Sequence, residues 1–171
     1  MFKTKNTSNV KEIYQSIIDN SRSKIFYIDL DIDDSFESRF DLVILHSFII
    51  FQYFIEIGDK KNPLSQSLFD FMFHDFENNL REMGFGDVSV NKKMKDLNKI
   101  FYDILIKLNT NMRGFNMSKK LSLKYFEKLH NNDNNWENFN KYFIRFYKFC
   151  YILYLHVAKD QSKFTNSQNF F

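Results

Sequence analysis

Acidic residues at alternate positions are the first candidates for chemistry in this chain of 171 residues. They are Asp29, Asp31, Asp33 and Glu37. An EF-hand calcium loop with that spacing needs glycine at its sixth position and a bidentate carboxylate at its twelfth. The chain has Asp34 and Phe40 at those two positions, so the pattern predicts no calcium site.

Two further features have side chains that could bind a metal ion or act as a nucleophile. Asp70 and His74 are one helical turn apart, a spacing at which two side chains can bind the same metal ion. A third and a fourth ligand at suitable spacing are missing, so we expect neither a metal site nor a bound cofactor. Cys150 lies between Phe146 and Leu153 on an apolar stripe, where a thiol behaves as a small hydrophobic group and not as a nucleophile.

The corner formed by residues 84–87 contains two of the four glycines of the chain. It lacks the GxGxxG, GKS and GKT patterns of phosphate-binding loops, and no strand precedes it. We therefore expect Gly84 to end one helix in the left-handed conformation and Gly86 to allow a tight reversal. Asp87 or Ser89 is predicted to cap the following helix. Charged side chains crowd beside this corner: Arg81, Glu82, Asp87, Lys92, Lys93 and Lys95.

The elements that position these residues are predicted to be helices. With only 4 Gly and 1 Pro, the chain is poor in the residues that a turn-rich sandwich or barrel needs. We expect a single all-α domain over 1–171, a bundle of about six helices with flexible ends at 1–7 and 160–171. Apolar spacing of three and four residues predicts helices over 8–20, 35–57, 63–83, 87–108, 119–129 and 136–158. The second helix should be central, because its middle is apolar nearly all round.

Two apolar stretches, 42–57 and 142–157, are candidates for membrane spans. His46 and Gln52 interrupt the first stretch, and two basic residues interrupt the second. A bilayer core requires about 20 consecutive apolar residues, so both stretches are predicted to be core helices. The first ten residues contain no apolar region typical of a secretory signal, and we expect a cytoplasmic protein.

Charge is segregated along the chain, although the net charge is only +3. Residues 28–91 carry four Lys/Arg against thirteen Asp/Glu, whereas residues 92–128 carry ten against three. Two interpretations stay open. Acidic and basic faces of neighbouring helices pair or lie in solvent, or the basic segment 92–128 binds RNA or the ribosome through phosphate contacts.

The segment from Leu80 to Lys95 resembles the signature of the ubiquinol-cytochrome c chaperone family, which occurs in mitochondria and alphaproteobacteria. Its sequence here is LREMGFGDVSVNKKMK. Further matches lie upstream in the expected order: Ser21-Arg22, Phe26-Tyr27, Arg39-Phe40-Asp41, Leu45-His46, Leu68-Phe69-Asp70 and Asp75. The resemblance covers residues 21–108. After Phe101-Tyr102 the family has Gly-Arg, where this chain has Asp103-Ile104.

The resemblance implies an all-helical, non-catalytic assembly chaperone for the ubiquinol-cytochrome c reductase (bc1) complex. The implied client is newly synthesised cytochrome b or another bc1 subunit. For mitochondrial members the resemblance also implies the ribosome and a small partner subunit as partners. The implied location is the cytoplasm, with a peripheral contact to the inner membrane, or the mitochondrial matrix in a eukaryote.

The matched motifs also single out an ordered set of positions as candidate partner-binding residues. They are Arg39, Asp41, His46, Asp75, Arg81, Glu82, Gly84, Gly86 and Asp87, followed by Lys92, Lys93 and Lys95. Two interpretations stay open for this polar motif. It is an internal salt-bridge lattice that fixes the angles between helices, or it is a docking patch on the surface.

A second candidate surface for a client is the face of the last helix that turns away from its core stripe. Ile144, Tyr151 and Leu155 lie on that face, and the alternative is that the face packs against another helix. A different class of protein, one that binds a quinone or a lipid, would require an apolar pocket larger than about 300 Å³.

Overall fold

A computed structural model of the chain describes residues 2–56, 63–108, 126 and 132–157. Within these ranges the chain forms five α-helices and one short π-helix. They are α1 (Phe2–Ser21), the π-helix (Ile25–Asp29), α2 (Phe36–Glu56), α3 (Pro63–Glu82), α4 (Asp87–Leu108) and α5 (Asp133–Val157). The predicted all-α class is confirmed, and the predicted helix over 119–129 lies outside the described residues.

The start of α1 differs from the prediction, and the start of α2 agrees with it. Helix α1 begins at Phe2, so the predicted start at residue 8 is wrong, and Ser8, whose side chain is of a type that caps helices, lies inside the helix. Before α2, the Ser35 hydroxyl oxygen accepts a hydrogen bond from the Ser38 backbone N–H at 3.1 Å. Ser35 therefore satisfies one of the amides that a helix start leaves without an intrahelical partner.

The alternating segment between α1 and α2 forms a wide helical turn. The backbone N–H of Leu30 donates to the carbonyl of Ile25 at 3.0 Å, the five-residue step of a π-helix. Phe26, Leu30 and Ile32 are buried, with 0%, 1% and 5% of their surfaces exposed. The aspartates between them face solvent, so alternation in this segment separates core from surface without a strand.

Helix α2 is central, as its apolar composition predicted. It contacts α1, α4 and α5, and every residue from 40 to 49 is buried. A helix can bury side chains in all directions only when neighbours surround it. None of the helices in the described ranges is both long enough and apolar enough to cross a membrane.

Apolar stripes on α3, α4 and α5 form much of the remaining core. The buried members are Leu68, Met72, Phe76 and Leu80 on α3, Val90, Leu97, Phe101 and Ile104 on α4, and Phe139, Phe143, Phe146 and Cys150 on α5. Ile104 is 1% exposed. The position where the family has arginine is therefore a core position in this chain.

Candidate partner-binding site

The turn between α3 and α4 has the hydrogen bonds of a Schellman motif. The backbone N–H of Phe85 donates to the carbonyl of Leu80 at 3.2 Å, and that of Gly84 donates to Arg81 at 2.9 Å. Gly84 has φ +87°, the left-handed conformation that a side chain makes costly. The prediction that Gly84 ends α3 is confirmed.

Helix α4 begins at Asp87, and its first turn closes on Gly86. The backbone N–H of Val90 donates to the Gly86 carbonyl at 2.9 Å, so Gly86 occupies the capping position. The prediction that Asp87 or Ser89 caps the helix is therefore wrong. The Asp87 carboxylate lies in the first turn, where the positive end of the helix dipole stabilises its negative charge.

Arg81 holds the two sides of this corner together at the surface. Its guanidinium donates to the Glu77 carboxylate, with Nη2 to Oε1 at 2.8 Å, and to the Asp87 carboxylate across the turn. Both hydrogen bonds raise the pKa of Arg81, the one to Asp87 most. The Arg81 side chain keeps 44% of its surface exposed, and ion pairs in that environment contribute little to stability.

Apolar side chains are exposed at the same corner. Every residue from 81 to 89 is exposed, including Met83 at 50% and Phe85 at 37%. The Lys93 ammonium lies 4.6 Å from the centre of the Phe85 ring, a cation–π distance. We call residues 81–87 the corner surface. It combines an apolar centre with charged neighbours, a composition typical of sites where partners bind.

The polar motif also includes residues at the start of α2. Arg39 forms a two-point ion pair with Asp34, with Nη2 to Oδ2 at 2.8 Å. The hydrogen bond from Arg39 lowers the pKa of Asp34. Both side chains are more than half exposed, whereas Asp41 is only 7% exposed.

Asp75 joins α3 to α1 from a half-buried position. The hydroxyl of Tyr14 donates to Asp75 Oδ2 at 2.7 Å, and the Asn79 amide donates to the same oxygen at 3.0 Å. Burial, then the hydrogen bond to Asp75, raises the pKa of Tyr14 far above its ordinary value. This contact supports the angle between the two helices.

His46 joins α2 to α5 inside the core, with no exposed surface. Its Nδ1 lies 2.7 Å from the Leu42 carbonyl oxygen, and its Nε2 lies 2.9 Å from the Tyr142 hydroxyl. Because a carbonyl can only accept, Nδ1 carries the proton and Nε2 accepts from Tyr142. Burial lowers the pKa of His46 to about 4, so the ring is neutral at physiological pH.

Aromatic rings enclose this pair. Phe143 and Phe146 each lie 4.9 Å from the His46 ring, and Phe26 lies 5.7 Å away, all measured between ring centres. Phe26 comes from the π-helix, so the polar pair joins α2 and α5 at the place where that segment packs. The site is a structural joint, since the rings leave no side for a partner to reach.

The structure thus divides the predicted polar motif into two parts. Arg81, Glu82, Gly84, Gly86 and Asp87 come together at the corner surface, and Lys92, Lys93 and Lys95 follow on the first turns of α4. Arg39 pairs locally, while Asp41, His46 and Asp75 lie within the bundle. Sequence reasoning missed the partners of the internal residues, Tyr14 and Tyr142. They lie 61 and 96 positions from Asp75 and His46, so no local spacing signalled them.

The predicted client face on α5 is described only in part. Ile144 is half-buried and packs against the core. Tyr151 and Leu155 belong to the last turns of the helix, and their side chains lie outside the described residues, so both stay predictions.

Burial raises the pKa of the Cys150 thiol to about 12.

An open groove runs between α3 and α4. It has a volume of about 470 Å³ and is lined by Phe73, Asn91, Met94, Lys95 and Asn98. Its volume exceeds the size expected for a quinone site, but the groove is open to solvent and three of its five lining residues are polar. A quinone site is typically a largely enclosed apolar cleft, so this groove does not support the quinone-binding interpretation.

Comparison with known proteins gives two matches to part of the chain. The sequence profile of the family described as ubiquinol-cytochrome C chaperone matches residues 29–132, more than half of the chain. The crystal structure of the Cbp3 homolog from Brucella abortus is similar, with 32% sequence identity and a TM-score of 0.51. That match covers 61% of this chain and 59% of the other, so this chain spans about three-fifths of that protein. No curated protein sequence matches the chain.

Proposed function

We propose that this chain, a member of the ubiquinol-cytochrome c chaperone family, is a non-catalytic assembly chaperone of the bc1 complex that binds newly synthesised cytochrome b. The observation that carries the proposal is the family match over residues 29–132. The similarity to the Cbp3 homolog supports it, because sequence identity of 32% accompanies the shared fold.

The corner surface is the part of the family signature best suited to contact a partner. Arg81, Glu82 and Asp87 are exposed, so their charges are available to form hydrogen bonds at a protein interface. Met83 and Phe85 supply exposed apolar area between them. Contacts of this composition, an apolar centre with a polar rim, are typical of protein interfaces. This favours the docking interpretation for the corner and the structural one for His46 and Asp75.

The test of the function is deletion of the gene, followed by measurement of b-type haem spectra and bc1 activity in the membranes. We expect cytochrome b to decrease together with bc1 activity, while an unrelated respiratory complex keeps its activity. Normal cytochrome b levels in the deletion strain would contradict the proposal.

The test of the surface is complementation of that deletion with variants of the corner. Met83→Ser/Phe85→Ser removes the exposed apolar area, and Arg81→Leu removes the bridging charge. We expect both variants to fold and to capture less cytochrome b in cross-linking to nascent chains. Restoration of full bc1 activity by both variants would move the client site elsewhere.

A control comes from an exposed apolar residue outside the corner surface. Ile28 is 69% exposed, more than Met83 or Phe85. The change Ile28→Ser removes exposed apolar area and should leave client capture unchanged. An equal loss in this control would indicate a general loss of solubility, not a specific site.

The last turns of α5 are a second predicted contact with the client. Tyr151→Ser/Leu155→Ser tests them in the same assay, with the melting temperature measured in parallel. Loss of capture at an unchanged melting temperature supports a binding face. A lower melting temperature assigns the two residues to packing.

A further inference from the structure

Six exposed residues form a straight stripe along the outer side of α4. In order they are Val88, Lys92, Lys95, Lys99, Tyr102 and Ile106. Their spacing alternates between four and three residues, so at 100° per residue they fall within about 80° of the helix circumference. The inner stripe that begins at Val90 lies on the opposite side of the helix. We call the exposed set the outer stripe.

The ends of the outer stripe are apolar and its centre is basic. Val88 is 85% exposed, Ile106 is 70% exposed and Tyr102 is 48% exposed. A helix rises 1.5 Å per residue, so the stripe extends over about 27 Å. Aliphatic side chains this exposed, two on one line of a helix, have no role in the core.

The three central lysines keep most of their charge available. Among the described residues, neither Lys92 nor Lys95 has a carboxylate within ion-pair distance. Lys99 has one, Asp96 at 3.4 Å, and its own side chain remains 79% exposed. The groove beside the stripe adds Asn91 and Asn98 next to Lys95, and their amides can donate hydrogen bonds to phosphate oxygens.

We infer that the outer stripe of α4 binds the surface of an anionic lipid bilayer. Lysines attract the charged headgroups and extend their ammonium groups toward them. Val88, Ile106 and Tyr102 then enter the boundary between headgroups and acyl chains, where aliphatic and aromatic side chains are favoured. The inference concerns a surface separate from the corner and does not depend on the proposed chaperone role.

Two other occupants fit the stripe less well. RNA would use the lysines, but a phosphate backbone offers nothing to Val88 or Ile106, and base stacking needs more than one aromatic ring. A helix of a partner protein would place three lysines at the centre of the interface, a position from which lysine is depleted. A bilayer uses both the charges and the apolar ends.

The experiment is flotation of the purified full chain with two kinds of vesicle. One contains phosphatidylcholine alone, and the other contains equal parts of phosphatidylcholine and phosphatidylglycerol. We expect binding to the anionic vesicles only. The triple variant Lys92→Gln/Lys95→Gln/Lys99→Gln should lower the partition coefficient about a hundredfold, roughly fivefold for each lysine. Val88→Ser/Ile106→Ser should lower it at least about tenfold.

Matched controls separate the stripe from general charge and general apolarity. Lys11, Lys24 and Lys148 are exposed elsewhere, and changing all three to Gln should alter partitioning by less than about twofold. Ile28→Ser removes an aliphatic residue that is 69% exposed and should have no effect. Circular dichroism verifies that every variant is folded.

Three outcomes would overturn the inference. The first is that the anionic vesicles do not bind the wild-type chain. The second is an equal loss in the control triple, which would indicate attraction to net charge alone. The third is that the serine pair has no effect, which would identify phosphate contacts such as those to RNA, measurable with a single-stranded oligonucleotide.

Discussion

The His46–Tyr142 pair and the Arg81–Asp87 pair each join two helices, yet their surroundings are opposite. His46 is fully buried among aromatic rings, whereas the Arg81 side chain is 44% exposed and that of Asp87 is 78% exposed. Water competes for the second pair and not for the first. One ordered motif therefore contains both a structural joint and an accessible surface.

The inner joint carries no charge because burial penalises ionised groups. An ionised pair in the core would lose its hydration and regain only part of it. A neutral imidazole that donates to Leu42 and accepts from Tyr142 satisfies both nitrogens without a charge. The Arg81 guanidinium keeps much of its hydration at the surface, so it can remain ionised and available to a partner.

The largest expected effect is a pH dependence of stability at the inner joint. The pKa of His46 is about 4 in the folded chain against 6.5 unfolded, so below pH 6.5 the unfolded state binds the proton first. The contribution of His46 is complete above pH 6.5 and decreases as the pH falls through 4, by about 3 kcal/mol in total. Urea denaturation at successive pH values measures it.

An apolar version of the joint is the matched control for this measurement. His46→Leu/Tyr142→Phe removes donor and acceptor together, so neither partner is left unsatisfied. We expect its free energy of unfolding to change less between pH 6.5 and 4, because the His46 imidazole no longer contributes to the pH dependence. An unchanged slope would mean that His46 is protonated in the folded state, and the contrast between the two regions would fail.

The second effect concerns the backbone of the corner. Gly84→Ala introduces a Cβ at φ +87° and should lower the free energy of unfolding by about 1–2 kcal/mol. Gly86→Ser is the control, because a Cβ at Gly86 meets nothing within 4 Å and serine is a favoured capping residue. If both variants lose the same free energy of unfolding, the left-handed conformation of Gly84 is not the cause, and the expectation is contradicted.

The third effect tests a joint of intermediate burial. Tyr14→Phe removes the hydrogen bond to Asp75 and should lower the free energy of unfolding by about 1 kcal/mol. Asp75→Asn retains an acceptor at the same place and should lose less. If Tyr14→Phe is silent in urea denaturation, the contact between α1 and α3 depends on apolar packing alone.

The smallest effect on stability is expected at the exposed pair. Arg81→Leu should leave the melting temperature nearly unchanged, because both ion pairs of Arg81 are at the surface. Thermal unfolding followed by circular dichroism measures the change. A large decrease would place Arg81 with His46 among the structural joints and would remove the distinction between the two regions.

Most helix positions could be predicted because apolar spacing records which side of a helix is buried. The buried stripes of α3, α4 and α5 follow this spacing, and Gly84 was expected to end α3 because few other residues accept its conformation. Two helix starts were predicted incorrectly. Ser8 has the side chain of a cap, but the helix extends past it, and Asp87 pairs with Arg81 one position after the cap.

The pairings inside the bundle could not be predicted from local spacing. Tyr142 was expected only as part of an apolar stretch, and Tyr14 only as a residue of the first helix. Each hydroxyl meets its partner because two helices cross at that point. The outer stripe of α4 was open to detection, since its spacing mirrors the inner stripe, but its exposure depends on what packs against α4.

The helical class, the course of the core stripes and the family could be read from residue types and from their spacing within single segments. Which polar residues of the signature face solvent, and which lie inside, depends on how the helices pack. Burial is a property of the neighbours that packing brings to a residue, and those neighbours come from distant parts of the chain. His46 and Arg81 belong to one motif, but only His46 is enclosed when α5 packs against α2.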